Sequence, residues 1–388
     1  MKTTAIIPAR GGSKGIAGKN TRIVAGKPLI GWTIEAARSA KLVNQVLVST
    51  DDDLIAKVAL EFGARVVMRP PELSGDTASS ESALLHALDW LEKEDSELPD
   101  VIAFLQCTSP LTISDDVDGT LCSLFSNEAD TALAVCDFHY FIWECGNNGE
   151  FQGINHDKSI RLLRQERKPQ YRETGAVYAM RTDGFLLNKH RFFGKTSFYV
   201  IPSKRVLEID EPQDLDLARL MLESQAQKTL ISSFPDSIKL IVFDFDGVMT
   251  DDTVQVDTNG IETVRCSRAD GYGIEMARRA GLEMLIITKE RNSVACQRAK
   301  KLKIPIFYGI DDKESALENY LAKIGVDWPN IVYVGNDIND LACIKRAGCG
   351  VAVANACSEV IESAKVKLSR SGGNHAVREL LDLILAQR

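Results

Sequence analysis

The chain has 388 residues, 45% of them hydrophobic and 26% charged, which is enough apolar material for two cores. A formal net charge of −8 excludes a broad nucleic-acid or anionic-membrane footprint but allows a local basic pocket for a small anion. The nine cysteines are odd in number and show no CxxC spacing. Cys107, Cys122 and Cys343 sit in apolar surroundings and read as reduced core thiols of a cytoplasmic protein. The N-terminal apolar run is too short for a signal peptide, and no stretch approaches the roughly 20 residues of a membrane span.

Strand-like runs alternate with helix-like ones. TTAIIP (3–8), QVLVST (45–50), ARVVM (64–68), VIAFL (101–105) and TALAV (131–135) have the length and flanks of strands, and GWTIEAARSA and SSESALLHALDWLEKE lie between them as helices. This alternation implies an α/β protein with a doubly wound sheet of parallel βαβ units. The stretch 137–205 is less regular, rich in Gly, Asn, Arg and aromatics, and suits a lid or an interface arm. A helix-like run, EPQDLDLARLMLESQAQ, gives way to TLISSFPDS, whose serines and proline read as a linker. A second series follows: KLIVFD, LEMLIIT (282–288), PIFYGI (305–310), NIVYVG (330–335) and CGVAV (349–353). The expected division is a first domain at 1–226, a linker at 227–237 and a second domain at 238–388.

In AIIPARGGSKGIAGKN (5–20) an apolar strand meets a Gly-rich turn carrying Arg10, Lys14 and Lys19. Glycines let backbone N–H groups approach an anion, and the basic side chains neutralise phosphate charge. The loop is neither a Walker loop nor a GxGxxG, and a solvated basic turn is the bland alternative. In the second half, KLIVFDFDGVMTDD (239–252) drives a buried strand into Asp244 and Asp246. At i and i+2 they share one side of the strand's C-terminal end, where sites form in open α/β sheets. Paired carboxylates there suit a metal, one of them also serving as a nucleophile toward phosphorus. Thr288 ends the next apolar strand, Lys313 starts a helix in GIDDKESA, and GNDINDLA ends another strand with Asp337 and Asp340.

The first loop, with VSTD (48–51), RPPELSGDTASS (69–80), LQCTSP (105–110) and VLEIDEPQDLDLA (206–218), resembles the sugar cytidylyltransferases, specifically the N-acylneuraminate branch. The resemblance spans about residues 3–220 and implies a nucleotidyltransferase Rossmann-like mixed sheet. By it, Arg10, Ser13, Lys14, Lys19, Asn20, Arg69 and Ser80 bind CTP, Gln106 touches the sugar, and Asp210 with Glu208 holds Mg²⁺. The sequence departs from that family at Glu208, where Asp is usual, and at YRETGAVYAM (171–180), where Asn-Gly usually precedes the aromatic strand. The anomeric hydroxyl of a 2-keto sugar acid would attack the α-phosphate of CTP, a transfer that needs positioning and charge neutralisation rather than a side-chain nucleophile.

Residues 238–388 resemble the haloacid dehalogenase superfamily of phosphatases. DGVMTDD, RADGYGIEMARRAG and SGGNHAVRE are similar to its 3-deoxy-D-manno-octulosonate (KDO)-8-phosphate and nonulosonate-9-phosphate phosphatase branch. By that resemblance Asp244 is the nucleophile and Asp246 the acid–base. Thr288 and Lys313 hold the phosphate, and Asp337 completes a Mg²⁺ site with Asp244, Asp246 and the supporting Asp340. Asp270 and Arg378 would face substrate or a neighbouring subunit. Only 41 residues separate Asp246 from Thr288, too few for a large cap domain, and closure by a second protomer implies a homodimer or homotetramer. TKERN (288–292) stands where the family more often has a TGR-like turn.

The joint expectation is a bifunctional enzyme. The second domain would hydrolyse a nonulosonate-9-phosphate, and the first would join the free nonulosonic acid to CMP, with no nucleic-acid or membrane partner. Two alternatives stay open: the KDO pathway, and a second domain kept only for oligomerisation, as in animal relatives whose second domain has lost catalytic carboxylates. The five histidines form no HxxxH pair, Trp32 and Trp90 fall on apolar helix faces, and EKEDSE (92–97) reads as a solvated helix end.

Overall fold

A computed structural model describes residues 1–386 other than Lys14, Asp76, Thr77 and Asn148. The chain divides into two compact units, Met1–Glu223 and Ser224–Arg388.

In the first unit, strands Thr3–Pro8, Gln45–Thr50, Arg65–Met68 and Val101–Leu105 pair in parallel, with Thr3–Pro8 between Gln45–Thr50 and Val101–Leu105. Alternation along these strands splits the core. Ala5, Ile7, Val46, Val48, Ala103 and Leu105 face one helical layer, while Ile6, Leu47, Ile102 and Phe104 face the other. Both faces are covered, as expected of parallel strands. Each fully buried large apolar side chain contributes about 1.5–3 kcal/mol.

The sheet is mixed. Strand Gln170–Arg181 runs antiparallel to both Val101–Leu105 and Thr131–Phe138, and Thr196–Val200 closes the edge in parallel with Thr131–Phe138. A register shift between Glu173 and Tyr178 marks a bulge in the 12-residue strand, with Gly175 at φ +66° inside it. From the irregular stretch, a small ribbon (Trp143–Cys145 with Phe151–Gly153) carries exposed Trp143 and Phe151, beside exposed Tyr140, Ile142, Ile154, Ile160, Leu162 and Leu163.

The helix Pro212–Ser232 occupies the first half of the segment read as a linker from its serines and proline. Its helix formers carry it through Gln227 and Lys228 before Pro235 breaks the pattern.

The second unit is a parallel sheet in the order Ile306–Phe307, Met284–Ile287, Leu240–Phe243, Ile331–Gly335, Cys349–Ala352, Val366–Lys367. Strand Leu240–Phe243 is central and buried throughout, so the carboxylates that follow emerge at the middle of the C-terminal edge. Between Asp246 and Thr288 lie a two-stranded ribbon (Gln255–Val256 with Glu262–Thr263), the helix Arg268–Arg279 and the strand Met284–Ile287.

Cys107 and Cys343 are buried as expected, whereas Cys122 is exposed on the helix Ser114–Ser126. Trp32 and Trp90 are half-buried and pack against apolar clusters. Among the described residues, no helix is long and apolar enough to cross a membrane.

Candidate active sites

In the first unit, the loop after Pro8 encloses a cavity of about 300 Å³ that Arg10, Ser13, Lys19, Asn20, Ser80, Gln106 and Asp210 line together. The loop is held by its own sequence. Gly11 donates its N–H to Asp51 Oδ1 (3.0 Å), and the Asn20 side chain donates to the Arg10 carbonyl (3.0 Å). Gly15 lies so close to the acidic segment that a Cβ there would stand 2.6 Å from the Asp210 carbonyl oxygen. Lys19 donates to the Ile209 carbonyl (2.7 Å) and lies 4.0 Å from Asp210 Oδ1, tying the basic loop to the acidic one. Ser80 opens the helix Ser80–Asp95, capped by Ser79, so backbone N–H groups and the helix dipole favour an anion there.

Arg69 stands outside the cavity lining and is almost fully buried, its guanidinium 3.9 Å from Asp51 and donating to Ser74 Oγ (3.1 Å). It braces the loop that holds Gly11. Lys14 lies outside the described residues. Glu208 approaches Gln106 across Gly175, since a Cβ on that glycine would land on Glu208 Oε1 and stand 2.9 Å from Gln106 Oε1. Partial burial, and then the charge of Asp210, push Glu208 up from the usual carboxylate range. A carboxylate raised by burial and by a neighbouring carboxylate suits a hard cation, with nucleotide oxygens completing its shell. Cys107 also lines this cavity, but burial pushes its thiol up to about 12, so it is not a nucleophile.

Sequence reasoning missed a buried brace behind this site. Phe104 stacks on Tyr178 with centroids 5.4 Å apart, the Arg191 guanidinium lies over both rings, and Arg191 pairs with Glu81 at 2.7 Å. The Tyr178 hydroxyl donates to Glu173.

In the second unit, Asp244, Asp246 and Thr288 line a cavity of about 400 Å³ with Glu290, Arg291 and Asn339. Asp244 Oδ1 accepts the Phe245 N–H (2.7 Å) and pairs with Lys313 Nζ at 2.8 Å. Lys313 begins the helix Lys313–Ile324, whose Asp312 cap bonds Ser315 N–H, so the ammonium enters from a fixed helix end. Its second partner is Asp340 Oδ1, also at 2.8 Å. Burial, and then Asp340, push Asp244 well up, with Lys313 opposing; burial would lower Lys313, but the two carboxylates hold it above its usual value. Two buried carboxylates against one ammonium leave an excess negative charge, the condition a divalent cation relieves. Asp246 is raised by burial, then by Glu290 and Asp252, which suits a group that must carry a proton.

Two expectations for this site change. Asp340 is fully buried with both oxygens engaged, Oδ1 by Lys313 and Tyr333 and Oδ2 by the Asn336 N–H (3.0 Å). It anchors Lys313 and does not face the cavity. Asp337 is exposed and turns its carboxyl to the Ile338 N–H (2.8 Å). The group aimed at the carboxylate loop is instead Asn336. It is 6% exposed, its Oδ1 is buried without a hydrogen-bond partner, and its amide fills the place a Cβ on Gly247 would take. The usable signal was its position, the first residue beyond the strand Ile331–Gly335.

Asp270 and Arg378 form an internal clasp. Asp270 is buried and accepts the Arg378 N–H (2.9 Å) at the start of the helix Ala376–Leu385, while the Arg378 guanidinium pairs with Asp382. Among the described residues, no cluster of three or more His, Cys, Asp or Glu side chains is arranged to hold a metal, so each site would need substrate oxygens, backbone or Asn336 besides its carboxylates.

A mixed sheet with a basic glycine loop, followed by a parallel sheet ending in paired aspartates, defines a nucleotidyltransferase-like unit joined to a haloacid dehalogenase-like unit. Residues 4–231 match the family model described as Cytidylyltransferase, and the chain belongs to that family. Residues 283–381 match the model described as haloacid dehalogenase-like hydrolase. The chain is 29% identical over 396 residues to N-acylneuraminate cytidylyltransferase A of Danio rerio, covering 98% of this chain and 88% of that protein. It is 30% identical over 404 residues to N-acylneuraminate cytidylyltransferase of Oncorhynchus mykiss, with the same coverage. Among solved structures, a Moraxella catarrhalis KDO-8-phosphate phosphatase in complex with magnesium, phosphate and KDO is 31% identical. The match covers 42% of this chain and 92% of that one, with a TM-score of 0.39.

Proposed function

We propose that the chain carries two consecutive reactions on one sugar acid: hydrolysis of a nonulosonate-9-phosphate in the second unit, and transfer of CMP from CTP to the anomeric hydroxyl of the freed acid in the first. The observation that carries the two-activity reading is the set Asp244, Asp246, Thr288 and Lys313 at one sheet edge, with Asp244, Asp246 and Thr288 lining one cavity and Lys313 paired to Asp244. A domain kept only as scaffold has no need of a buried lysine between two carboxylates. The relatives' names support an N-acylneuraminate-type acid as the acceptor.

In the phosphatase, the Asp244 carboxylate attacks phosphorus while Thr288 and Lys313 hold the phosphate oxygens. Asp246 protonates the leaving sugar oxygen and then takes a proton from the water that cleaves the aspartyl-phosphate. Asp244, Asp246 and Asn336 would hold Mg²⁺, which when bound neutralises phosphate charge. In the transferase, Arg10, Ser13, Lys19, Asn20 and Ser80 bind the triphosphate, Gln106 orients the sugar acid, and Glu208 with Asp210 would hold Mg²⁺.

The test uses the full-length chain with Mg²⁺. Phosphate release from a nonulosonate-9-phosphate, abolished by Asp244→Asn, is expected together with CTP-dependent pyrophosphate release. No phosphate release from any 8- or 9-phosphorylated sugar acid would sink the phosphatase reading. A pyrophosphate assay that prefers KDO over N-acetylneuraminate, its deaminated analogue KDN, and legionaminate would overturn the choice of acid.

A further inference from the structure

Tyr333 is the largest fully buried side chain among the described residues and sits mid-strand in Ile331–Gly335, outside the catalytic set. Its hydroxyl donates to Asp340 Oδ1 at 2.7 Å, and the same oxygen accepts Lys313 Nζ at 2.8 Å. The ammonium's other partner is Asp244 Oδ1, again at 2.8 Å. All four side chains are essentially withdrawn from water, so these contacts act at low effective dielectric. Burial and the Asp340 charge push the phenol well up, which leaves it protonated and a donor to the Asp340 carboxylate.

Two donors on one carboxylate oxygen weaken each other's hold. With the hydroxyl present, Asp340 Oδ1 is partly satisfied and the ammonium is shared with Asp244. Without it, Lys313 is drawn toward Asp340, away from the nucleophile and the phosphate it must meet. Packing does not require the hydroxyl, since a phenylalanine ring would fill the same space.

We propose that Tyr333 is a positioning residue for the phosphatase reaction, its hydroxyl setting how the Lys313 ammonium is divided between Asp340 and Asp244. The inference rests on the phosphatase reading above. The test compares full-length Tyr333→Phe with the unsubstituted chain, using a nonulosonate-9-phosphate as substrate and inorganic phosphate as inhibitor. Because a hydrogen bond to a charged group is at stake, kcat should fall roughly tenfold and the Ki of phosphate should rise roughly fivefold. The chain should stay folded at the assay temperature, with the fall in kcat larger than the modest drop in melting temperature from one lost hydrogen bond explains, and CTP-dependent pyrophosphate release should stay unchanged. Tyr333→Met removes ring and hydroxyl together and should show at least the same loss, so either folded variant serves. An active unsubstituted chain with Y333F within twofold in both constants overturns this inference alone. So does a loss that merely follows a lowered melting temperature. A chain that releases no phosphate at all overturns the phosphatase reading and this inference with it.

Discussion

Lys313 Nζ stands 2.8 Å from Asp244 Oδ1, with side-chain exposures of only 1% and 5%. Removing one partner of such a pair leaves an uncompensated buried charge, a loss of about 3–5 kcal/mol. Lys313→Met should therefore destabilise the second unit by about that amount and lower phosphate release by about 10³-fold, with pyrophosphate release retained. Denaturant unfolding of the full chain, with both assays run in parallel, checks this. An unfolding midpoint equal to that of the unsubstituted chain would contradict the buried-pair account.

The Asn336 Oδ1, whose amide fills the place a Cβ on Gly247 would take, is buried and lacks a hydrogen-bond partner, and a cation would supply one. Asn336→Ala should raise the Mg²⁺ concentration for half-maximal phosphatase activity by roughly tenfold, an effect of about 1.4 kcal/mol. Asn336→Asp should lower it. The Mg²⁺-dependent rise in melting temperature gives a second reading without turnover, because a ligand that binds only the folded state stabilises it. Equal Mg²⁺ responses in all three proteins would remove Asn336 from the proposed site.

The second site was legible where one residue type follows directly from local pattern. An apolar strand running into DFDG announces Asp244 and Asp246, and a lysine opening a helix announces Lys313. Asp340 and Asn336 were harder, because their roles depend on partners that meet only in the folded sheet. Asp340 resembles any other site carboxylate until Tyr333 and Lys313 occupy its oxygens. In the first unit, strand Gln170–Arg181 showed only through the resemblance around YRETGAVYAM and left no strand pattern of its own, because its exposed start, QYRE, is polar and charged, and a bulge with a glycine interrupts the alternation. The two-residue strand Val366–Lys367 is too short to leave a period at all.

That bulge glycine has a consequence for catalysis. Gly175 combines φ +66° with a position where a Cβ would collide with Glu208 and crowd Gln106. Gly175→Ala should destabilise the first unit by about 1–2 kcal/mol through the left-handed backbone alone. Displacing Glu208 should also lower pyrophosphate release roughly 10–100-fold while leaving phosphate release intact. A variant that retains full transferase activity would show that Glu208 need not occupy the space over residue 175.

The Glu81–Arg191 pair, 14% and 18% exposed, makes stability of the first unit depend on acidity. Burial pushes the Glu81 carboxyl up, but the Arg191 hydrogen bond and charge outweigh it and hold Glu81 below the usual carboxylate range. A carboxyl lowered on folding contributes stability that is complete above its unfolded value and is lost as pH falls through its folded one. Glu81→Gln should thus cost about 1.5–3 kcal/mol at pH 7, leaving Arg191 unpaired over Phe104 and Tyr178. The gap to the unsubstituted chain should narrow on acidification, once Glu81 itself takes up a proton. Urea unfolding of the full chain at pH 7 and at progressively lower pH measures it. A gap that stays constant across that range would mean the pair contributes through packing and not through its charge.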